Sequence, residues 1–406
     1  MQPTALAPDS PDQTDRVILR EAEEIGAPAG AGDVVVLGDA TGALVRAALE
    51  AVGDGGDRVI ALDMSRGALE ALAATFGPER DGGRLVLPGL DLQGLDLHGL
   101  DLHGPDLQGP VLQGPGADPD VLADARCALM RLPKSLAALQ ARMLELRAVP
   151  VVIAGGRVKH MTRSQNDVLA TTHREVRATR GLGKSRALVA SGPRGEQAAP
   201  TRPAVAAHEL EIRVAGASRP VSLRGIGGVF GGASADAGSL LLLDALDAAL
   251  LDGSLEPAAI ESAVDLGCGN GLLTAWLAHA LPQARLRASD DDADAVAATR
   301  ATLEASGLAR EGVDVVWEAS LADAADAGAD LVVLNPPFHD GTAVDATLVQ
   351  ELLDAAGRVL RPGGQLWLVH NSLLRYRDEV ADRIGPVRQR ARDRRFTVLS
   401  AEVPTV

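Results

Sequence analysis

The chain has 406 residues, 46% of them hydrophobic, two cysteines and a formal net charge of −16. That length and apolar content suit two ordinary domains and exclude a disordered or fibrous chain, while two cysteines are too few for a disulfide framework. The acidic balance argues against a protein that coats nucleic acid over its whole surface, although a local basic face can hide in a whole-chain count.

The N-terminus, MQPTALAPDSPDQTD, has no basic segment ahead of an apolar core, and no apolar run nears the roughly 20 residues of a membrane span. A reducing, cytoplasmic setting is expected, with no membrane partner. In chain order the first β-like runs are DVVVLGD at 33–39, RVIALDMS at 58–65, CALMRLP at 127–133 and PVVIAGG at 150–156. Between the second and third runs, from Gly89, stands GLDLQGLDLHGLDLHGPDLQGPVLQGPG with a five-residue period. Its L-D-L units resemble pentapeptide repeats, which coil into a β-solenoid. A solenoid needs several stacked coils to bury its faces, and this run supplies little more than one. An extended or disordered insertion over about 89–116 is therefore expected.

A Pro-, Gly- and Arg-rich stretch, SGPRGEQAAPTRPAVA at 191–206, reads as a linker, giving a first domain over 1–190, a linker over 191–207 and a second domain over 208–406. The second half alternates strands and helices as a doubly wound α/β domain does. Strands are expected at Ser262 to Leu266, Arg285 to Ser289, Val313 to Trp317, Leu331 to Leu334 and Gln365 to Val369, with another in RRFTVLSAEV. Helices follow Gly271 and Val344, and the turn RPGG at 361–364 marks a helix stop before the fifth strand. Laid over one another, VLGDATG (36–42) falls on DLGCGNG (265–271) and LPKS (132–135) on NPPF (335–338). The halves read as a duplication with chemistry kept in the second copy. Val36 replaces Asp265, Ala40 replaces Gly269, Leu132 replaces Asn335 and Ser135 replaces Phe338.

VDLGCGNGLL at 264–273 sets an acid at a strand end and three glycines, Gly267, Gly269 and Gly271, before a helix. Glycines there permit a tight turn and close ligand approach, and Asp265 can orient the loop or meet a charged ligand group. The dinucleotide fingerprint would need glycine where Leu272 stands. The pattern instead resembles motif I of class I S-adenosylmethionine-dependent methyltransferases, whose glycine loop packs under the methionine part of the cofactor. About 20 residues on, RLRASDDDADAV offers Asp290, with Asp291 as the second choice, to accept the ribose hydroxyls. Asp292 and Asp294 read as a solvated helix N-terminus. After the third strand, Ser320 lies near the expected adenine position.

At the end of the fourth strand, NPPF resembles motif IV of amino methyltransferases. The exocyclic amine of a base is a poor nucleophile because its lone pair is delocalised. Asn335, through its side-chain oxygen, and the carbonyl of Pro336 can accept its two N–H groups, pyramidalise it and aim the lone pair at the methyl. Prolines preorganise these acceptors and add no competing donor. Phe338 would stack on the base.

Beyond both motifs, nearly the whole chain is similar to the bacterial ribosomal RNA guanine-N2 methyltransferases, tandem duplications with a degenerate first domain. The resemblance implies an α/β chain of two tandem Rossmann-like class I methyltransferase domains, the second catalytic. GIGGVFGGASADAGSLLLL at 225–243 matches the family's PGVFS segment, with Gly227 in place of its proline. By that match Phe230, Asp236 and Ser239 lie near the cofactor. LRPGGQLWLVHNSLLRYRDEV fits the family's strand five, followed by N-x-x-LPY with Arg375 in place of proline. GGRVKHMTRS at 155–164 and GKSRALV at 183–189 look more like the large-subunit (23S) enzyme than the small-subunit (16S) one.

The resemblance implies S-adenosylmethionine as cofactor, no metal, and ribosomal RNA, naked or partly assembled, as substrate. Lys159, Arg163, Arg174, Arg177 and Lys184 would supply phosphate contacts, against the alternative of an ordinary solvated surface. A second arginine cluster spans Arg383 to Arg395. Two other readings stay open: methylation of a protein glutamine side chain, and a non-catalytic cofactor-binding scaffold. Nothing selects an oligomeric state, and a monomer is compatible with the sequence.

Overall fold

The computed structural model describes residues 11–27, 30–39, 41–53, 55–91, 121–195, 205–337 and 343–405. From residue 92 the five-residue repeat lies outside the described residues, as does Phe338. The chain divides into two compact units, Met1–Ala204 and Val205–Val406.

The first unit carries strands β1 (Asp33–Leu37), β2 (Val59–Leu62), β3 (Leu85–Val86), β4 (Ala125–Arg131), β5 (Val151–Arg157), β6 (His173–Ala178) and β7 (Ser185–Pro193). Its helices are α1 (Gln13–Glu24), α2 (Ala43–Val52), α3 (Arg66–Thr75), α4 (Gly77–Asp81), α5 (Pro88–Asp91), α6 (Leu136–Glu145) and α7 (Arg163–Thr172). The second unit opens with a hairpin, β8 (Ala206–Val214) and β9 (Ala217–Gly225). Strands β10 (Ser262–Leu266), β11 (Arg285–Asp290), β12 (Val313–Trp317), β13 (Ala329–Leu334), β14 (Leu360–Asn371), β15 (Val387–Arg392) and β16 (Phe396–Glu402) follow. Helices α8 (Ala237–Asp252), α9 (Leu272–Ala280), α10 (Ala293–Ala305), α11 (Ala343–Val359) and α12 (Arg377–Arg383) complete it.

Each unit builds one seven-stranded sheet, ordered β3-β2-β1-β4-β5-β7-β6 in the first and β12-β11-β10-β13-β14-β16-β15 in the second. Position by position the orders are the same, with the last strands antiparallel in both. The near-continuous Val/Leu runs of β1 and β13 are buried throughout, as parallel strands covered on both faces must be. Along β13 the period of two sends Leu331 and Val333 to one apolar layer, with Trp276 and Trp367, and Val332 and Leu334 to the other, with Leu353 and Val380.

The expected strands of the second half are found, with one correction. RPGG is not a turn before strand five but lies inside β14, where the partner of Ala329 is Leu360 and that of Leu331 is Gln365. The extra residues form a bulge, stitched by Gly363 N–H to the Val403 carbonyl (2.9 Å). Strand β7 runs to Pro193, into the stretch expected as linker. Helix α1, edge strand β6 and the β8–β9 hairpin were not anticipated. α1 lies so close to β5 that a Cβ on Gly155 would stand 2.4 Å from Ile18 Cγ1. Cys127 and Cys268 are buried free thiols, and burial pushes the Cys127 thiol up to about 11. Among the described residues no helix is long and apolar enough to cross a membrane.

Asp294 corrects another expectation. It is not solvated but 3% exposed, and its carboxylate accepts the Gly228 N–H at 2.8 Å. Gly227 has φ +53°, and a Cβ there would stand 2.1 Å from Asp294 Oδ2. The glycine that replaces the family's proline therefore makes room for this carboxylate. Gly227→Ala should cost about 1–3 kcal/mol through the left-handed backbone and the displaced acid. Urea unfolding measures this, and an unchanged midpoint would show that the loop relaxes freely.

Candidate active site

The site is built at the carboxyl end of the second sheet, around the switch point between β10 and β13 where open α/β sheets bind ligands. The glycine loop leaves β10 with Gly267, Gly269 and Gly271 at φ +80°, +55° and +82°, a conformation that side chains resist. A Cβ on Gly271 would meet Thr299 Cα at 3.0 Å, so this glycine serves packing against α10. Gly267 and Gly269 face open space instead, with nothing within 4 Å of such a Cβ. The middle of the loop can thus admit a ligand against its backbone.

Four side chains hold the loop. Asp290 Oδ2 accepts from Gly269 N–H (2.9 Å), while its Oδ1 accepts from Asp292 N–H (2.9 Å). Thr299 Oγ1 donates to the Gly269 carbonyl (3.0 Å) and Thr302 Oγ1 to that of Asn270 (2.7 Å). The Asn270 amide donates to the carbonyls of Gly232 and Ser234, both at 3.0 Å, tying the glycine loop to the segment that carries Phe230. Sequence reasoning missed Asn270, Thr299 and Thr302. The i, i+3 spacing of the two threonines on α10 is the signal that could have found them.

Asp265 is fully buried and accepts from Thr274 Oγ1 at 2.5 Å, while its other oxygen has no hydrogen-bond partner among the described residues. Burial pushes its carboxyl up to about 7, opposed by the Thr274 hydroxyl and reinforced by the nearby Asp290 charge. Burial likewise lifts Asp290 to about 6, against the backbone N–H groups it accepts. An orphaned buried carboxylate oxygen beside an open glycine loop suits a ligand carrying a cationic group.

Asn335 follows Leu334, so the strand period points it to the face shared with Val333, toward α8. Asp236 caps that helix, accepting from Gly238 N–H (2.9 Å) and Ser239 N–H (3.1 Å). Ser239 Oγ donates to Asp236 Oδ2 at 2.5 Å. The Asn335 amide nitrogen donates to Ser239 Oγ (2.8 Å) and to Asp236 Oδ2 (3.2 Å) and Oδ1 (3.4 Å). Because a carboxylate can only accept, the NH2 end of Asn335 must face it. Its Oδ1 makes no hydrogen bond among the described residues and points the other way.

The structure thus brings together Asp265, Gly267, Gly269, Gly271 and Asp290 at the loop, and Asp236, Ser239, Asn335 and Pro336 at the end of β13. Asp291 is half-buried, with its carbonyl accepting Trp317 Nε1–H (2.8 Å). Ser320 and Leu321 adopt φ +47° and +58° in a loop whose Leu321 and Ala324 carbonyls accept from Arg358. Phe230 is 57% exposed.

The first unit repeats this geometry with different residues. Leu37 pairs with Met130 as Leu266 pairs with Leu334, so Arg131, not Leu132, stands where Asn335 stands. Asp12 caps α1 as Asp236 caps α8, and Asp15 lies three residues on, as Ser239 does. Arg131 bonds Asp15 (2.7 Å) and Asp12 (2.7 Å). The same corner is closed by an ion pair.

Residues 221–400 match the Methyltransferase small domain family and residues 117–194 the RLMG N-terminal domain family. The Streptomyces coelicolor protein named ribosomal RNA large subunit methyltransferase G is 34% identical over 278 residues, 67% of this chain and 71% of that protein. The chain belongs to this methyltransferase family. The large-subunit likeness expected from GGRVKHMTRS and GKSRALV is thereby borne out. Ribosomal RNA small subunit methyltransferase C of Chromohalobacter salexigens is 40% identical over 174 residues, 43% of this chain and about half of that protein, 49%. The solved structure of the T. Thermophilus 16S rRNA N2 G1207 methyltransferase, in complex with AdoMet and guanosine, covers 97% of the chain at TM-score 0.70 and 23% identity. It shares the fold.

The raised acids predict a pH dependence. The folded protein holds protons on Asp265 and Asp290 that the unfolded chain has released above about pH 4, so these groups stabilise the fold less as pH rises from about 4 to 7. A cationic ligand favours the ionised form, so S-adenosylmethionine should bind roughly tenfold more tightly at pH 8 than at pH 6. Asp265→Asn should flatten that slope. Calorimetry across the range tests it, and a pH-independent wild-type affinity would remove Asp265 from ligand recognition.

Proposed function

We propose that this chain transfers a methyl group from S-adenosylmethionine to the N2 amine of a guanine in ribosomal RNA. The carrying observation is the polarity of Asn335, whose amide nitrogen is held by Asp236 and Ser239 so that the oxygen alone faces the site. The glycine loop, Asp265 and Asp290 hold the cofactor, which supplies an electrophilic methyl on a sulfonium. Asn335 Oδ1 and the Pro336 carbonyl each accept one N–H of the guanine amine, turning its lone pair in line with the methyl. Positioning does the work. The S–C bond breaks as the N–C bond forms, sulfur keeps the electron pair, and the methylated amine then gives its extra proton to water. Phe338 is the residue assigned to stack on the base.

A guanine amine in a paired helix lies in the minor groove and out of reach for in-line attack, so the target is flipped or in an open loop. Naked or partly assembled RNA is the substrate that allows this, in the reducing cytoplasm where both cysteines stay free. Asn335→Ala should retain the fold and cofactor binding but lose roughly 10²-fold or more in methyl transfer, ~3 kcal/mol of transition-state stabilisation. Tritium transfer to ribosomal RNA measures it, and near-normal turnover would reject the role given to Asn335.

The five cations assigned to RNA divide by position. Lys159 and Arg163 follow the carboxyl end of β5, and the Lys184 carbonyl accepts the Val158 N–H beside them (2.9 Å). Arg174 lies near the opposite end of β5, beside Gly192, whose N–H reaches the Pro150 carbonyl. That is about 20 Å away at the usual strand rise. Arg177 is paired at 2.5 Å with Glu21, itself 4% exposed. Lys159, Arg163 and Lys184 are therefore the phosphate contacts. Their triple alanine variant should bind RNA more weakly and flatten log Kd against log salt by roughly one unit per contact, with cofactor affinity unchanged. Filter binding decides, and Arg174→Ala with the larger effect would reverse the assignment.

A further inference from the structure

The rim of the catalytic corner holds a second surface. Strand β14 overshoots β13, since Leu334 pairs with Leu368 and β14 continues to Asn371. Asn371 pairs with Phe396, so the turn after β14 and the β15–β16 tip emerge together at the sheet end where Asn335 stands. A Cβ on Gly238 would touch the Phe396 ring at 3.4 Å, two residues from the Asp236 that holds Asn335. At this rim Leu373 is 87% exposed, more than any other large apolar side chain among the described residues, and Leu374 beside it is 40% exposed.

Leu373 does not hang on a loose loop. Its N–H donates to Asn371 Oδ1 (3.0 Å) and that of Leu374 to the Asn371 carbonyl (2.9 Å). Ser372 N–H donates to the Arg395 carbonyl (2.8 Å), and Ser372 Oγ bonds Thr397 Oγ1 (2.7 Å). A rigid turn that holds a leucine in water favours nothing in the isolated fold. The tip beside it is cationic. Arg392, Arg394 and Arg395 are exposed there, against Asp393, whose carboxylate is taken by the N–H groups of Arg395 and Phe396, both at 2.6 Å. The Arg395 guanidinium lies 5.2 Å over the Phe396 ring.

We infer that the β15–β16 tip grips the phosphates flanking the target guanine, and that Leu373 enters the base stack in the space the guanine leaves when it turns toward Asn335. The inference rests on the functional reading above. An apolar wedge beside arginines matches how proteins hold a duplex open, because the wedge replaces lost stacking while the cations fix the backbone. Charge complementarity selects a polyanion over an apolar protein partner.

The test uses the full chain and, once the wild-type product has been mapped on unmodified 16S and 23S transcripts, a hairpin with 2-aminopurine at the target position. Wild-type protein should raise its fluorescence. Leu373→Ala should abolish that rise and lower kcat on the structured transcript about tenfold, with RNA Kd changed less than threefold. Leu373→Phe should restore most of both. Arg394→Ala with Arg395→Ala should raise RNA Kd about tenfold and flatten the salt slope by one to two units. Wild-type kcat and fluorescence in Leu373→Ala would overturn the insertion. Unchanged binding of naked RNA by the double arginine variant, with activity lost only on assembled subunits, would make this a protein-docking face and overturn the phosphate grip. A wild-type chain that methylates neither transcript would overturn the functional reading itself.

Discussion

The proposed catalytic corner depends on one hydrogen-bond polarity. Asparagine has an acceptor end and a donor end of nearly equal size, and only its surroundings decide which faces the ligand. Here a helix cap decides. Asp236 must accept from the first N–H groups of α8, and with its charge committed there it takes the Asn335 amide nitrogen as a further donor. The Ser239 hydroxyl completes the triangle, donating to the carboxylate and accepting from the amide. The oxygen that remains is preorganised by the fold, so the proposed reaction needs no reorganisation at this group. Loss of the cap would free the amide to turn.

The glycine loop is held in the same economical way from the opposite side. Asp290 gives both oxygens to backbone N–H groups, one in the loop and one at the start of α10, so the strand-two acid shapes the loop. Its partner Asp265 has one oxygen without a hydrogen bond among the described residues, and the Asp290 charge adds to the burial that raises its carboxyl. Such an arrangement is costly in an isolated fold and fits a site completed by a positive ligand.

Strand positions and both motifs were legible because each rests on local physics: continuous apolar runs for buried parallel strands, and glycines where the backbone must turn left-handed. The contacts that give those motifs direction were not legible in that way. Asp15, Asp294 and Asn270 act across 36 to 116 residues of sequence. In the sequence Asp294 looked like one more acid at a helix start. Its burial follows from Gly227, whose missing Cβ opens the space. The RPGG bulge was misread for a related reason, since Pro and Gly signal a break in local structure but not whether the strand resumes its pairing after it.

The two units show how little separates the proposed catalytic corner from a closed one. Both units keep an acid capping the helix that packs on strand five, and in the first unit Asp15 at the third helical position is fully buried. A buried carboxylate left alone is strongly destabilising, so whatever occupied the strand end had to remain a donor. Arginine meets that demand with five donors and no acceptor. It pairs with both Asp12 and Asp15, as the Asn335 amide nitrogen bonds Asp236, but it has no oxygen to receive an amine. At this strand end the change of residue type keeps the acids paired and removes the proposed acceptor, beside the loop replacements Val36 and Ala40. The sequence overlay missed it by one position because Leu-Pro resembles Asn-Pro, whereas strand register sets Arg131 against Asn335.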